Sequence, residues 1–422
     1  MVDVLITNGP WLIGIAAAFG FLMAWGIGAN DVANAMGTSV GSNAITIKQA
    51  IIIAMIFEFA GAYLAGGEVT STIRNGIIDP AYFTEAPQLL VYGMIASLLA
   101  AGIWLVVASA LGWPVSTTHS IVGAIIGFAA VGVSTDAVIW GKVGGIVGSW
   151  IITPAISGFI AFILFQSVQK LIFNTDNPLA NAKRYVPFYM ALAGFIMSLV
   201  TITKGLKHVG IHFSSVEAYG LATAIAILIA IVGKIVISRL KMSDKADRQA
   251  HFGNVEKVFA VLMVMTACCM AFAHGSNDVA NAIGPLAAVV SVVSSGGEIA
   301  SKSALVWWIL PLGGIGIVMG LAIFGKRVMQ TIGKNITHLT PSRGFAAELA
   351  AATTVVIASG TGLPISTTQT LVGAVLGVGM ARGIAAINMG VVRNIVVSWV
   401  ITLPAGAGLS IIFFYMIKGI FG

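Results

Sequence analysis

Charge is scarce in this sequence. Of 422 residues only 9% are Asp, Glu, Lys or Arg, while 58% are hydrophobic; an ordinary soluble chain carries about 25% charged residues. A soluble domain of this size could not clothe its surface with so little charge, so much of the solvent around it must be lipid. Cysteine is nearly absent: Cys268 and Cys269 stand side by side inside an apolar run and read as small core hydrophobes, not as a redox or metal pair. The chain also lacks GxSxG, HExxH, a Walker loop and any zinc-ligand spacing, so it is not read as an enzyme, and no transition metal or organic cofactor is expected. Ser116 and His119 lie three apart at one helix start without a third member, which disfavours serine hydrolysis. With no nucleotide loop, any pumping is secondary. No basic lead-in precedes the first apolar run, from Trp11, which therefore reads as a span and not as a cleavable leader.

What the chain does contain is apolar segments, 50 glycines and 12 prolines, the last two both commoner in membrane helices than in soluble ones. Apolar stretches recur from residue 10 to residue 418. A span needs about 20 residues, and the stretches amount to about 10–12 crossings, several of them short or broken by Gly, Pro, Asn and Asp. In lipid each segment must satisfy its own backbone, so the fold class is all-α and polytopic, with broken helices or re-entrant hairpins.

The chain repeats itself. GANDVANAMG at 28–37 returns as GSNDVANAIG at 275–284, and GWPVSTTHSIVGAIIGF at 112–128 returns as GLPISTTQTLVGAVLGV at 362–378. VGSWIITPA, from Val147, is echoed by VVSWVITLPA, from Val396. Three collinear matches define a duplication: 1–166 and 256–422, joined by connector helices and a loop over 167–255. The net charge of +7 lies largely in loops, where it sets topology and does not suggest nucleic acid. Lys234, Arg239, Lys241, Lys245, Arg248 and Lys257 crowd one loop, and Lys170, Lys183 and Arg184 another, whereas 204–215 holds only Lys204 and Lys207. The positive-inside rule puts the first two in the cytoplasm. If each copy crosses an odd number of times, the copies are inverted and both termini lie outside, the usual plan of a secondary transporter.

The repeated motifs carry the chemistry. Asp31 and Asp278 lie deep in apolar runs, where a carboxylate normally faces an ion or a cavity. Asn30, Asn34, Asn277 and Asn281 add neutral oxygens, and Gly28 and Gly275 are expected to let the helix unwind and free its carbonyls. Such hard oxygen ligands suit a small monovalent cation; helix capping is the plainer alternative. Ser116-Thr117-Thr118 and Ser366-Thr367-Thr368 each follow Gly-x-Pro and precede a helical run, an N-cap signature. Two such positive helix ends turned towards one point would hold a tetrahedral oxyanion. Glu58 and Glu348 are single carboxylates in apolar helices, suited to a cation site, a proton relay or an ion pair. His119 and its counterpart Gln369 directly follow the triads and could donate to the anion. Arg74, in TIRNGI opposite TIGKNI at 331–336, reads as an anion lure or an interfacial anchor.

With GANDVANAMG and GSNDVANAIG, GWPVSTTH and GLPISTTQ, TIRNGI, and TPSRGFAAELA from Thr340, the sequence resembles the inorganic phosphate transporter family over nearly its whole length. That family includes sodium–phosphate symporters and bacterial phosphate permeases. The resemblance implies a cell inner-membrane protein of inverted repeats, usually a homodimer in lipid, that moves phosphate with sodium by alternating access. It implies sodium at Asn30, Asp31, Asn34, Asn277, Asp278, Asn281, Glu58 and Glu348, and phosphate at the two triads with His119 and Gln369. Gln369 stands where many relatives place histidine, and the short central loop points to a prokaryotic member. Proton-coupled phosphate or sulfate permeation is the alternative, an anion channel a more distant one.

Overall fold

The computed structural model describes residues 2–422 except 207–209, 243–247, 300–304, 336–338 and 384–388; the side chains of 2–4, 75, 248–251, 326–335, 391 and 394 are also outside the description. Lys207, Lys245 and Arg248 of the topology argument, and the TIGKNI side chains, therefore lie outside the described residues.

Thirteen α-helices make up the described chain. In order they are α1 (Val2–Gly41), α2 (Ile47–Ala65), α3 (Gly67–Asn75), α4 (Pro87–Ala110), α5 (Thr117–Gly132), α6 (Trp140–Val168), α7 (Pro178–Val200), α8 (Ser215–Ser238), α9 (Arg248–Ser294), α10 (Ile309–Asn335), α11 (Pro341–Gly360), α12 (Thr367–Arg382) and α13 (Met389–Phe421). Eight described helices are long and apolar enough to cross a membrane, and two shorter apolar ones accompany them. The outer faces suit lipid: Ile151 is 72% exposed, Phe159 65% and Val400 69%, an apolar surface far beyond what water tolerates. The chain is a multi-pass membrane protein.

Local sequence explains where helices stop and start. α4 ends at Gly112 (φ +69°) and α11 at Gly362 (φ +73°), a left-handed backbone that glycine adopts without penalty. Pro114 and Pro364 then bar further helix, and Ser116 and Ser366 start α5 and α12 by accepting the backbone N–H of His119 and Gln369. The breaks thus fall at the serine–threonine triads. They do not fall at the NDVANA motifs, which corrects the expectation of unwinding at Gly28 and Gly275: α1 and α9 run through both motifs as unbroken helix. The two glycines serve close approach instead. A Cβ on Gly28 would stand 1.9 Å from the Ile317 carbonyl oxygen, and one on Gly275 2.1 Å from that of Glu58. Small residues that let backbones touch are the usual device for packing helices in lipid.

Packing follows the duplication. α1 packs on α10 as α9 packs on α2; α5 packs on α13 as α12 packs on α6; α1 meets α4 as α9 meets α11. α7 and α8 pair as a hairpin. The apolar interior falls into two large clusters, and α1 and α9 thread both. Ile27 belongs to one cluster and Val32 to the other, as do Val279 and Ala273. Asn30-Asp31 and Asn277-Asp278 occupy the seam between them. Val115 and Ile121 flank the first triad in one cluster, and Ile365 and Leu371 flank the second in the other.

Close helix contact makes a measurable distinction between glycines. On Gly320 a Cβ would lie 1.9 Å from the Trp25 carbonyl oxygen, whereas Gly148 has nothing within 4 Å. Gly320→Ala should destabilise by about 1–3 kcal/mol through overpacking, and Gly148→Ala should be neutral or stabilise by up to ~1 kcal/mol through lower backbone entropy. Thermal unfolding of the two variants in detergent checks the opposite signs.

Candidate functional site

At the seam the two copies interlock through polar side chains. Asn34 donates to Asp31 Oδ1 (3.0 Å) and to Thr368 Oγ1 (2.7 Å). Its counterpart Asn281 donates to Thr118 Oγ1 (3.1 Å). Thr367 Oγ1 donates to Asp278 Oδ2 at 2.9 Å. The third residue of each triad reaches the backbone ahead of the other triad: Thr118 donates to Ile365 O (2.9 Å) and Thr368 to Val115 O (3.4 Å). The N-termini of α5 and α12 are therefore neighbours, although 250 positions separate the triads in sequence. Asn30 ties its motif to the first break, donating to Ser109 Oγ (3.0 Å) and Trp113 O (3.2 Å) and accepting from Val115 N (3.3 Å). The amide of Asn277 lies likewise 3.0 Å from Ser359 Oγ.

The carboxylates, asparagines and triad hydroxyls are buried, Asp31 1% exposed and Asp278 0%, whereas Ser109 is half-buried and Trp113 exposed. A carboxylate so placed is expensive unless compensated. Two helix N-termini beside two carboxylates supply part of the compensation, each such pairing contributing up to ~2 kcal/mol when partly buried. Asp31 Oδ2 and Asn281 Oδ1 have no hydrogen-bond partner in the described structure, so both are open to a ligand.

Four sequence-predicted residues sit differently from the rest. Glu58 joins the site only through a side chain that sequence reasoning missed, His274. The His274 imidazole stands 3.0 Å from Asp278 Oδ2, 3.9 Å from Asp31 Oδ2 and, through its other nitrogen, 3.3 Å from Glu58 Oε1. Asp31, His274 and Asp278 each offer an atom within 4.8 Å of the others. A signal was present: His274 directly precedes the second GSNDVANAIG, where the first copy has Ile27. Glu348 is held apart, accepting from Thr38, from Ser39 (2.6 Å) and from Thr266 (2.8 Å). Thr38 lies two helical turns beyond Asp31 on α1, about 10 Å. His119 faces outward from the triad, its ring 3.7 Å from that of Trp150 and its Nδ1 3.4 Å from Trp399 O. The atoms His119 Nε2, Gln369 Oε1, Trp150 Nε1 and Trp399 Nε1 are all buried without a partner. Arg74, also buried, ends α3 beside Leu90, Ala288 and Ser291, and Thr72 of the same helix donates to Gly362 O (2.6 Å).

The chain is similar to known proteins over almost its whole length. The model of the phosphate transporter family matches residues 27–410. A Haemophilus influenzae protein, provisionally named a phosphate permease, is 58% identical over 99% of this chain and 100% of its own. A Pyrococcus abyssi protein of like provisional name is 44% identical over 96% of this chain and 97% of its own. A solved structure described as the sodium-dependent phosphate transporter is similar at TM-score 0.90 and 42% identity, covering 97% of this chain and 99% of that one.

Asn30 gives a test of how the motif positions the triad. Asn30→Ala leaves Ser109, Trp113 O and Val115 N without their partner, so it should destabilise by about 1–3 kcal/mol. Thermal unfolding measures the loss.

Proposed function

The chain belongs to the phosphate transporter family, a transporter and not an enzyme, and on that premise we propose that it carries inorganic phosphate into the cell by sodium-coupled symport with alternating access. The observation that supports this most is the meeting of two capped helix N-termini, α5 and α12, inside a buried layer that also holds two carboxylates. Free N–H groups and hydroxyls at two adjacent positive ends favour an oxyanion. Ser116, Thr117, Thr118, Ser366, Thr367 and Thr368 would take phosphate. His119, Gln369 and the indoles of Trp150 and Trp399, with their unpartnered buried atoms, would meet it on the far side of the triads.

The adjoining oxygens suit sodium: Asp31 and Asp278 carry the charge, and Asn30, Asn34, Asn277 and Asn281 the neutral dipoles. Two sodium ions offset a divalent phosphate whose burial alone would be prohibitive. Glu348, with three hydroxyls around it, offers a third oxygen-rich position, and Glu58 acts through His274. We place the protein in the cell inner membrane as a homodimer, with 1–166 and 256–422 as inverted repeats, 167–255 as connector, and both termini outside.

Three experiments check this. Labelled phosphate uptake into proteoliposomes should rise with an inward sodium gradient and resist excess sulfate; uptake indifferent to sodium and driven by protons overturns the coupling. Asp31→Asn and Asp278→Asn should each weaken the apparent sodium affinity at least tenfold, since an ion–carboxylate pair at 4 Å attracts by ~4 kcal/mol at an effective dielectric of 20. For topology, single cysteines at His212, Lys241 and Gly422, in a chain without Cys268 and Cys269, should react with a membrane-impermeant maleimide from outside, inside and outside respectively. Labelling of Lys241 and Gly422 from the same face would remove the inverted arrangement.

A further inference from the structure

Away from the seam, the connector hairpin does not close fully on the helices beneath it. Between α7 and α8 on one side and α2 and α9 on the other lies a cavity of about 570 Å³, within the roughly 300–1,000 Å³ of ligand sites. All four walls belong to membrane-spanning helices. Met190 and Ile202 both line the cavity; their separation along the chain makes it a slot about 18 Å long, parallel to the spans. Its walls are apolar, with Phe57, Ile229, Val264, Met265 and Phe272 among them. The two hydroxyls that line it are engaged within their own helix, Ser198 Oγ donating to Gly194 O (2.6 Å) and Thr201 Oγ1 to Met197 O (2.7 Å). A sugar, nucleotide or peptide would lose its hydrogen bonds there. A helix from a second copy, about 10 Å across, would need roughly 1,400 Å³ over the same length. Hydrocarbon chains meet both limits.

One end of the slot carries charge. Just past Val200, α7 opens into a wide π-helical turn, Thr201–Gly205. The turn is seated against α2, since a Cβ on Gly205 would stand 2.9 Å from the Leu64 carbonyl oxygen. Lys204 on this turn is exposed, and its stem lies beside Gly360 at the end of α11, where an added Cβ would meet Lys204 Cγ at 3.3 Å. The membrane span ends at Gly205, so the ammonium stands at head-group level while its methylenes remain along apolar surface. We propose that the slot binds one anionic phospholipid per chain, its hydrocarbon between α7, α8, α2 and α9 and its head-group phosphate at Lys204. Bound there, the lipid braces the hairpin against Phe57, next to Glu58, and against Phe272, two residues before His274. It thus supports the two helices that hold those side chains in place, from a position outside the polar layer.

The probe is phosphatidylglycerol carrying a diazirine midway along one chain, diluted into phosphatidylcholine nanodiscs that hold the full-length protein. Illumination should attach it to Met197, Val264, Met265 or Cys268, all of which line the slot. Excess unlabelled phosphatidylglycerol should displace it, a saturation that bulk lipid does not show. Ser198→Phe, which fills the slot, should lower attachment by about tenfold or more, whereas Leu192→Phe, on the exposed face of α7, should leave it unchanged. Lys204→Ala should erase the preference for phosphatidylglycerol over phosphatidylcholine. Phosphatidylglycerol added to delipidated protein should raise the Tm, because it binds only the folded chain. Attachment spread evenly over exposed positions such as Ile151 and Phe159, label that excess lipid does not displace, or attachment unchanged in Ser198→Phe overturns the site. Equal retention of the two lipids by the unmodified chain overturns the role of Lys204. A short bis-maleimide joining Cys268 of two copies would make the slot an interface between chains and overturn it as well. Every readout is of binding, so phosphate or sodium uptake stands or falls separately.

Discussion

Everything in this molecule is arranged around a thin polar layer that lipid-like surroundings would otherwise forbid. Asp31 and Asp278 are held between two apolar clusters, where solvent cannot screen them, and each unsatisfied polar atom there is penalised by several kcal/mol. Hydroxyls and amides from the opposite copy reduce that penalty, and the N-termini of α5 and α12 add partial positive charge at the same place. The layer is coherent only if both copies are present, because Asn34 needs Thr368 and Asn281 needs Thr118.

Helices must come very close to make such a layer. The NDVANA helices α1 and α9 cross α10 and α2 with a glycine on one and a bare carbonyl on the other. In lipid there is no hydrophobic force between helices, so association relies on van der Waals contact and hydrogen bonds, both of which need short separations. The same economy explains why the helix breaks are at Gly112 and Gly362. A left-handed glycine followed by proline ends one helix and lets the next begin at a serine cap, which brings N–H groups to the seam without leaving a carbonyl bare in lipid.

Upon this symmetric frame stand two asymmetric additions, His274 with Glu58, and Glu348 with Thr38, Ser39 and Thr266. Their symmetry-related positions hold Ile27 and Ile317 in the first case and Leu98 in place of Glu348 in the second. Both are buried. Buried charge on one side only makes the two halves chemically different.

The sequence by itself determined the membrane class, the duplication, the two repeated motifs and the starts of α5 and α12, because these depend on composition, identity and local capping, which act within a few residues. It left open how the motifs face one another, and it misplaced one property: glycines at 28 and 275 read as points of unwinding, yet they lie in intact helix because a neighbouring backbone, not local strain, is what requires them. Only the tertiary structure decided that the triads touch across 250 residues, that Glu58 and Glu348 belong to separate clusters, and that His274 joins three carboxylates. The physical reason is that a buried charge is placed by whatever lies within a few ångströms of it, and in a two-copy chain those neighbours come from distant sequence.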